Sequence, residues 1–214
     1  MSAVLRFADE GEAVDLTAFL GRLLRYDRAA AVRLQAAGDA LAVFGRPPAF
    51  EVLAVRAVRL AEPTELDTTV SAGELLEAVE GDRVRVPAAV TGPAWAGVLP
   101  PRGGWRQVDA PSAEAVREEV AGAVADFRAQ VEELPADKRT RAELDRIGRL
   151  VWSSLVAGTE LPVRVAHAAQ GLGFLRPGAA VELLASGTWL RLRTPYGAVV
   201  LRRGGGAGLS VSPV

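Results

Sequence analysis

The sequence predicts an α+β fold: an N-terminal antiparallel sheet with short helices, a central antiparallel helix pair, and a C-terminal helix plus an antiparallel β-meander. Three observations carry that expectation. Apolar residues recur with period two in segments near both ends of the chain, the spacing that lets a strand bury a face. Between them, two longer segments carry apolar residues every three or four positions, the spacing of one helix face. Gly, Pro, Ser and Asp punctuate the short segments as turns, and no long linker divides the chain.

Residues 4–7 read as a short strand. Leu16, Phe19, Leu20, Leu23 and Leu24 fall on one helix face, with Asp15 placed as the N-cap. Strands are expected over 31–36, 40–44 and 50–60; Gly38-Asp39 turns the first into the second, and Gly45-Arg46-Pro47-Pro48 separates the second from the third. In the third, Val52, Ala54 and Val58 alternate with Leu53, Val55 and Ala57, so both faces are apolar and the strand belongs in the centre of a sheet. Ser71 and Glu74 form a capping box ahead of Leu75, Leu76 and Val79, and 83–89 reads as extended. The segment 91–108, rich in Gly, Pro and Trp, predicts a hairpin whose strands carry Trp95 and Trp105.

In the centre, Val116, Val120, Val124, Phe127, Val131 and Leu134 mark one helix, which Pro135 ends. Thr140 and Glu143 cap a second, with Leu144, Ile147, Val151 and Leu155 as its buried stripe. A third helix starts at Pro162 and ends near Gly171 and Gly173. Runs 180–185, 188–193 and 198–202 form the meander; in its middle strand Leu190 and Leu192 point one way, and Trp189, Arg191 and Arg193 the other. The Gly- and Ser-rich tail 204–214 reads as mobile. Residues 1–108 thus form an acidic α+β region and 109–214 a helical pair with a basic α+β region, or the two integrate into one domain.

Half of the 214 residues are apolar, enough to fold on hydrophobic burial alone. The absence of cysteine excludes disulfides, thiolate catalysis and thiolate zinc sites. With one histidine (His167) and one lysine (Lys138), the His, Cys and Lys pairings that mark most catalytic sites cannot form, so the inventory leans away from an enzyme. A G+C-rich bacterial genome accounts for that scarcity, because Lys, Asn, Ile, Met and Tyr have A/T-rich codons. Here Ile147 and Met1 are the only residues of their types and Asn is missing. The N-terminus shows neither a basic region nor a signal-length apolar stretch, and no segment approaches about 18 uncharged apolar residues. A soluble cytoplasmic protein with no membrane partner is expected.

Charge is uneven along the chain: residues 1–134 carry a net −7 and residues 135–214 a net +6. That pattern points to a polyanionic partner or to halves that attract each other. His167 has no carboxylate within reach on its own helix, only Arg164 and Gln170 a turn away, so it reads as a packed histidine rather than a base. The carboxylates near the first helix and on the central helix match no cation loop, and the run Gly204-Gly205-Gly206 precedes no helix that would cradle a phosphate. No metal and no cofactor is expected.

Three helices followed by a hairpin bearing Arg191, Arg193, Arg202 and Arg203 resemble the order of a winged helix, which implies base reading by Arg164 and His167 and phosphate contacts from the hairpin. The N-terminal order of strand, helix, antiparallel strands, short helix and further strands resembles one domain of a sliding clamp, an analogy of fold alone. The leading expectation is a non-catalytic binding protein that recognises a macromolecular partner, foremost a protein, through its sheet surfaces or Trp95 and Trp105. DNA binding by the basic C-terminal region is the alternative, and a small enzyme using carboxylates or a metal the third.

Overall fold

The computed structural model describes residues 3–203, and in it the period-two segments of both halves enter one sheet. In chain order the elements are β1 (Val4–Arg6), α1 (Glu10–Tyr26), β2 (Ala31–Ala37), β3 (Ala40–Gly45), β4 (Leu53–Arg59), β5 (Leu66–Ser71), α2 (Ala72–Glu77), β6 (Val79–Glu80) and β7 (Arg83–Arg85). They continue with β8 (Arg106–Asp109), α3 (Ala113–Glu133), α4 (Arg141–Ser153), α5 (Val163–Gly171), β9 (Glu182–Ser186), β10 (Trp189–Thr194) and β11 (Gly197–Arg202). The protein is α+β. Its main sheet runs β5-β2-β3-β4-β11-β10-β9-β8, and a smaller one runs β1-β7-β6. The expected tail 204–214 lies outside the described residues.

The seam between the halves is β4 against β11, with Val55 opposite Ala198, Ala54 opposite Val199 and Leu53 opposite Val200. A strand can sit there only if both faces are apolar. Ala54 and Val58 join the main core with α1 and α5, whereas Leu53 and Val55 pack on the other face with Phe44, Ala198 and Val200. The main core fills the space between the sheet and Leu16, Phe19, Leu20 and Leu23 of α1 and Val163, Val165, Ala166, Ala168 and Ala169 of α5.

Helix caps follow the side chains the sequence offers. Ser71, Ser112 and Thr140 each accept a hydrogen bond from the backbone N–H three residues on. At α1 the cap is Asp9, accepting from Glu12 N at 3.1 Å, not Asp15. The first turn is polar, which hides it from apolar periodicity, but its Glu10 and Glu12 favour the positive helix end. β5 was not expected: it is an edge strand in which Asp67 is exposed, Thr69 is buried on the face that the following segment crosses, and Val70 enters the core.

The expected hairpin over 91–108 does not form. Trp95 sits in a 3-10 turn, Ala94–Gly97, and Trp105 stands directly before β8. Pro93, Pro100 and Pro101 have no N–H to donate to a ladder, so the segment instead crosses the outer sheet face as a strap. At one edge Val90 N donates to Thr69 O at 2.9 Å, and at the other β8 pairs with β9. Between these points Trp95, Leu99 and Trp105 cover Phe44, Leu53 and Val55. No helix among the described residues is long and apolar enough to cross a membrane.

Candidate interaction surfaces

On the helix side, a trough of about 510 Å³ opens between the 3-10 turn Pro48–Phe50, α3, α4 and α5. Leu144, Gly148 and Trp152 of α4 are four residues apart, so they share a face and form one wall. Phe127 of α3 and Phe50 complete the apolar lining, and Glu51, Asp145, Arg149, Ser153 and Arg164 supply the polar groups. Gly148 allows this packing, since a Cβ there would lie 3.3 Å from Trp152 Nε1 and 3.7 Å from Phe127.

Behind the trough the rings form a continuous series. Tyr26 meets Phe50 at 5.4 Å, Phe50 meets His167 at 5.1 Å, His167 meets Trp152 at 4.8 Å and Trp152 meets Phe127 at 5.5 Å. His167 is therefore part of an aromatic stack. Burial holds its pKa below the ordinary histidine value, so the ring is neutral at pH 7. Arg164 makes only a long contact to Ser153 Oγ at 3.5 Å, and its Nε is enclosed with no acceptor among the described residues. Glu51 is the one described non-glycine residue with positive φ, +53°, a conformation that costs energy for a residue of this type.

The opposite sheet face carries the other sequence candidates. Arg191 and Arg193 alternate with the buried Leu190 and Leu192, and Trp189 lies opposite Arg202. Arg193 Nε donates to Glu182 at 2.6 Å, which raises the arginine pKa and lowers that of the carboxyl. Arg203 pairs with Glu160 at 2.8 Å. Arg191 lies over Trp105, with Cζ 5.6 Å from a ring centroid, and Trp105 Nε1 donates to Pro101 O at 2.9 Å. Burial, then the neighbouring Arg193, push the Arg191 pKa down, and its Nε has no acceptor among the described residues.

These placements separate the residues that a winged helix would bring together. α5 buries Val163, Val165, Ala166, Ala168 and Ala169 instead of standing free to enter a groove, and the meander is the interior of the large sheet. Arg164 and His167 lie on the helix layer, while Arg191, Arg193 and Arg202 lie on the other face. Trp95 and Trp105 are half-buried strap residues.

The sequence did not point to the trough, because Phe127, Leu144 and Trp152 fit equally well on a buried stripe. Nor did it mark Arg56, the buried centre of a network between the halves. Arg56 Nη2 reaches Asp15 at 3.1 Å and Glu12 at 3.3 Å, and Nη1 donates to Tyr196 O at 2.9 Å. Arg59 also pairs with Glu12 at 2.8 Å, and Arg176 with Asp15 at 3.3 Å, the latter guanidinium lying 3.8 Å over the Tyr196 ring. The available signal was an arginine in a strand with both faces apolar, which must find a partner.

A family described as a domain of unknown function, DUF8185, matches residues 100–206, half of the chain. The chain belongs to that family. The DUF8185 match takes in α3, α4, α5, β8 and the meander, and a second domain of unknown function, DUF8010, matches residues 1–97. No curated protein sequence matches the chain. Among solved structures it is similar to the DNA polymerase III subunit beta from Pseudomonas aeruginosa, with 14% identity and a TM-score of 0.57 over 94% of this chain and 64% of that one. The H. pylori beta clamp in complex with 5-chloroisatin gives 7% and 0.52 over 94% and 63%, and a DNA polymerase sliding clamp from Pseudomonas aeruginosa gives 13% and 0.50 over 100% and 67%. At these identities the likeness is one of fold. The chain spans less than two thirds of the length of the first of these proteins.

Proposed function

We propose that this is a non-catalytic, cytoplasmic interaction protein whose partner is a protein, held in the trough between α3, α4 and α5. One observation carries the reading: Phe50, Phe127, Leu144 and Trp152 line a trough that is open along one side, with Arg149 and Arg164 at its walls. Aromatic residues and arginine are the types that dominate protein-binding energy. An open trough receives side chains from another surface, whereas small-molecule sites enclose most of their ligand. The clamp-like fold supports the reading, since the solved structures that share it are a DNA polymerase III subunit beta and a DNA polymerase sliding clamp.

A second reading is favoured by the outer face. There Arg191 lacks an acceptor among the described residues and stacks by Trp105, near Trp189 and Arg202, and a cationic aromatic platform suits single-stranded nucleic acid. One experiment separates the two. A photo-crosslinking amino acid is placed at Arg149, Arg202 or, as control, Glu132, and the full chain is irradiated in cells. Protease-sensitive adducts from position 149 alone support the trough. Adducts no stronger there than at position 132 overturn it, and nuclease-sensitive adducts confined to position 202 establish the nucleic-acid reading instead.

A further inference from the structure

We infer that residues 91–105 are a lid: the strap lifts as a unit from the outer face of the large sheet and bares an apolar patch built by both halves, while the sheet beneath stays intact. The strap lies on the face opposite the trough, and its own bonding permits the motion. Ala96 N donates to Pro93 O, Val98 N to Trp95 O and Trp105 Nε1 to Pro101 O, each at 2.9 Å, so these bonds travel with it. Pro93, Pro100 and Pro101 have no N–H to give. Among the described residues no hydrogen bond or ion pair joins 91–105 to the sheet; the nearest, Val90 N to Thr69 O, lies just outside the moving part. Lifting the strap therefore breaks no ladder and leaves no buried polar group without its partner.

Apolar contact alone holds it down. Trp95, Leu99 and Trp105, all half-buried, pack on Phe44, Leu53 and Val55 of one half and Ala198 and Val200 of the other. Those five residues stand on β3, β4 and β11, whose mutual pairing is complete without the strap and whose other face is fixed in the main core. A segment with few buried contacts and no bonds to its neighbours opens well before the fold does. Both roots are glycine: a Cβ at Gly92 would lie 3.2 Å from Thr69 Oγ1, and Gly104 has φ +74°, so the backbone can turn there at little cost. Opening also lifts Trp105 from Arg191, and the lid thus decides when a surface shared by the two halves meets solvent.

The chain has no cysteine, so a single introduced thiol is a clean reporter. Val200→Cys places one under the strap, and Val199→Cys places one next to it on the opposite face of β11, in the main core; both positions are buried. Each full-length variant is exposed to iodoacetamide in a urea series and its modification followed by mass spectrometry. Thermal melts establish that the variants fold, and Ala198→Cys serves as the reporter if Val200→Cys does not. The thiol at position 200 should react at least about tenfold faster than that at 199, with a shallower urea dependence, because lid opening exposes little surface. Trp95 packs at the strap's other end, beside Arg46 and Ser71. Trp95→Ala should speed the reaction at 200 about tenfold and leave 199 unchanged, since it removes part of the apolar area that closes the whole strap. Equal rates at the two positions overturn the lid, as does an effect of Trp95→Ala that is absent at 200 or shared by 199.

Discussion

Replacing Arg56 by methionine removes the one buried cation among the described residues, a side chain that touches both halves of the chain, and the structure sets the size of the effect. The Arg56 side chain is 8% exposed and Glu12 is 11% exposed, so the charges meet where water cannot replace a lost partner. Breaking such a pair by removing one member costs about 3–5 kcal/mol. Two features reduce that figure: Glu12 keeps Arg59 at 2.8 Å, and Asp15, 32% exposed, keeps Arg176 at 3.3 Å. Loss of the bond to the part-buried Tyr196 O acts the other way, because an enclosed carbonyl left unpaired costs up to about 1–3 kcal/mol. The expected loss is about 3 kcal/mol, read as a lower urea midpoint at unchanged slope. Arg56→Met combined with Glu12→Leu should recover part of it, since exchanging both members of a buried pair for apolar residues is often neutral. A loss below about 1 kcal/mol, or strict additivity of the two substitutions, would refute the claim that the network locks the halves together.

Two further outcomes follow from the packing. The folded-state pKa of His167 is depressed by burial, so the unfolded chain binds the proton more readily and stability falls as pH drops below the ordinary histidine value of about 6.5. Between pH 7.5 and 5 the wild type should lose more stability than His167→Phe, and equal losses in urea titrations at the two pH values would contradict the neutral, half-buried ring. Gly197 has φ +152° and a Cβ there would lie 2.5 Å from the Phe174 ring, which itself stacks on Phe19 at 5.7 Å. Gly197→Ala should therefore lower stability by about 1–3 kcal/mol in urea unfolding, and a neutral effect would show that the turn joining β10 to β11 relaxes freely.

The sequence disclosed whatever repeats along a single element. Strong periodicity placed α3, α4, β2, β3 and the meander within a few residues, Pro162 and Gly171 bracketed α5, and Ser71 and Thr140 marked helix starts by a local mechanism. β4 was legible as central because both its faces are apolar. What it disclosed poorly depends on partners distant in the chain. β5 is half polar because it is an edge, and the 91–108 strap is defined by the face it covers. The trough joins Phe50, Phe127 and Trp152, residues that are neighbours only after α3 and α4 fold back beside α5. Arg164 and Arg191 looked like companions by composition, yet the sheet lies between them.

A net charge of −1 conceals surfaces of different character, one balanced and one acidic, and α4 marks the boundary between them. On one side Leu144, Gly148 and Trp152 face a trough whose charged residues balance, Arg149 and Arg164 against Glu51 and Asp145. On the other, Val151 and Ser154 line a second trough with Glu118, Glu119 and Asp126 of α3, and none of these three carboxylates has an ion-pair partner among the described residues. With a Debye length of about 8 Å at physiological salt, each trough is governed by its own walls and not by the net charge. A polyanion laid along the exposed side of α3 would meet Glu118, Glu119 and Asp126, each repelling a phosphate by about 1 kcal/mol at contact in water. The side of α3 that carries Glu118, Glu119 and Asp126 is thus a poor surface for a polyanion.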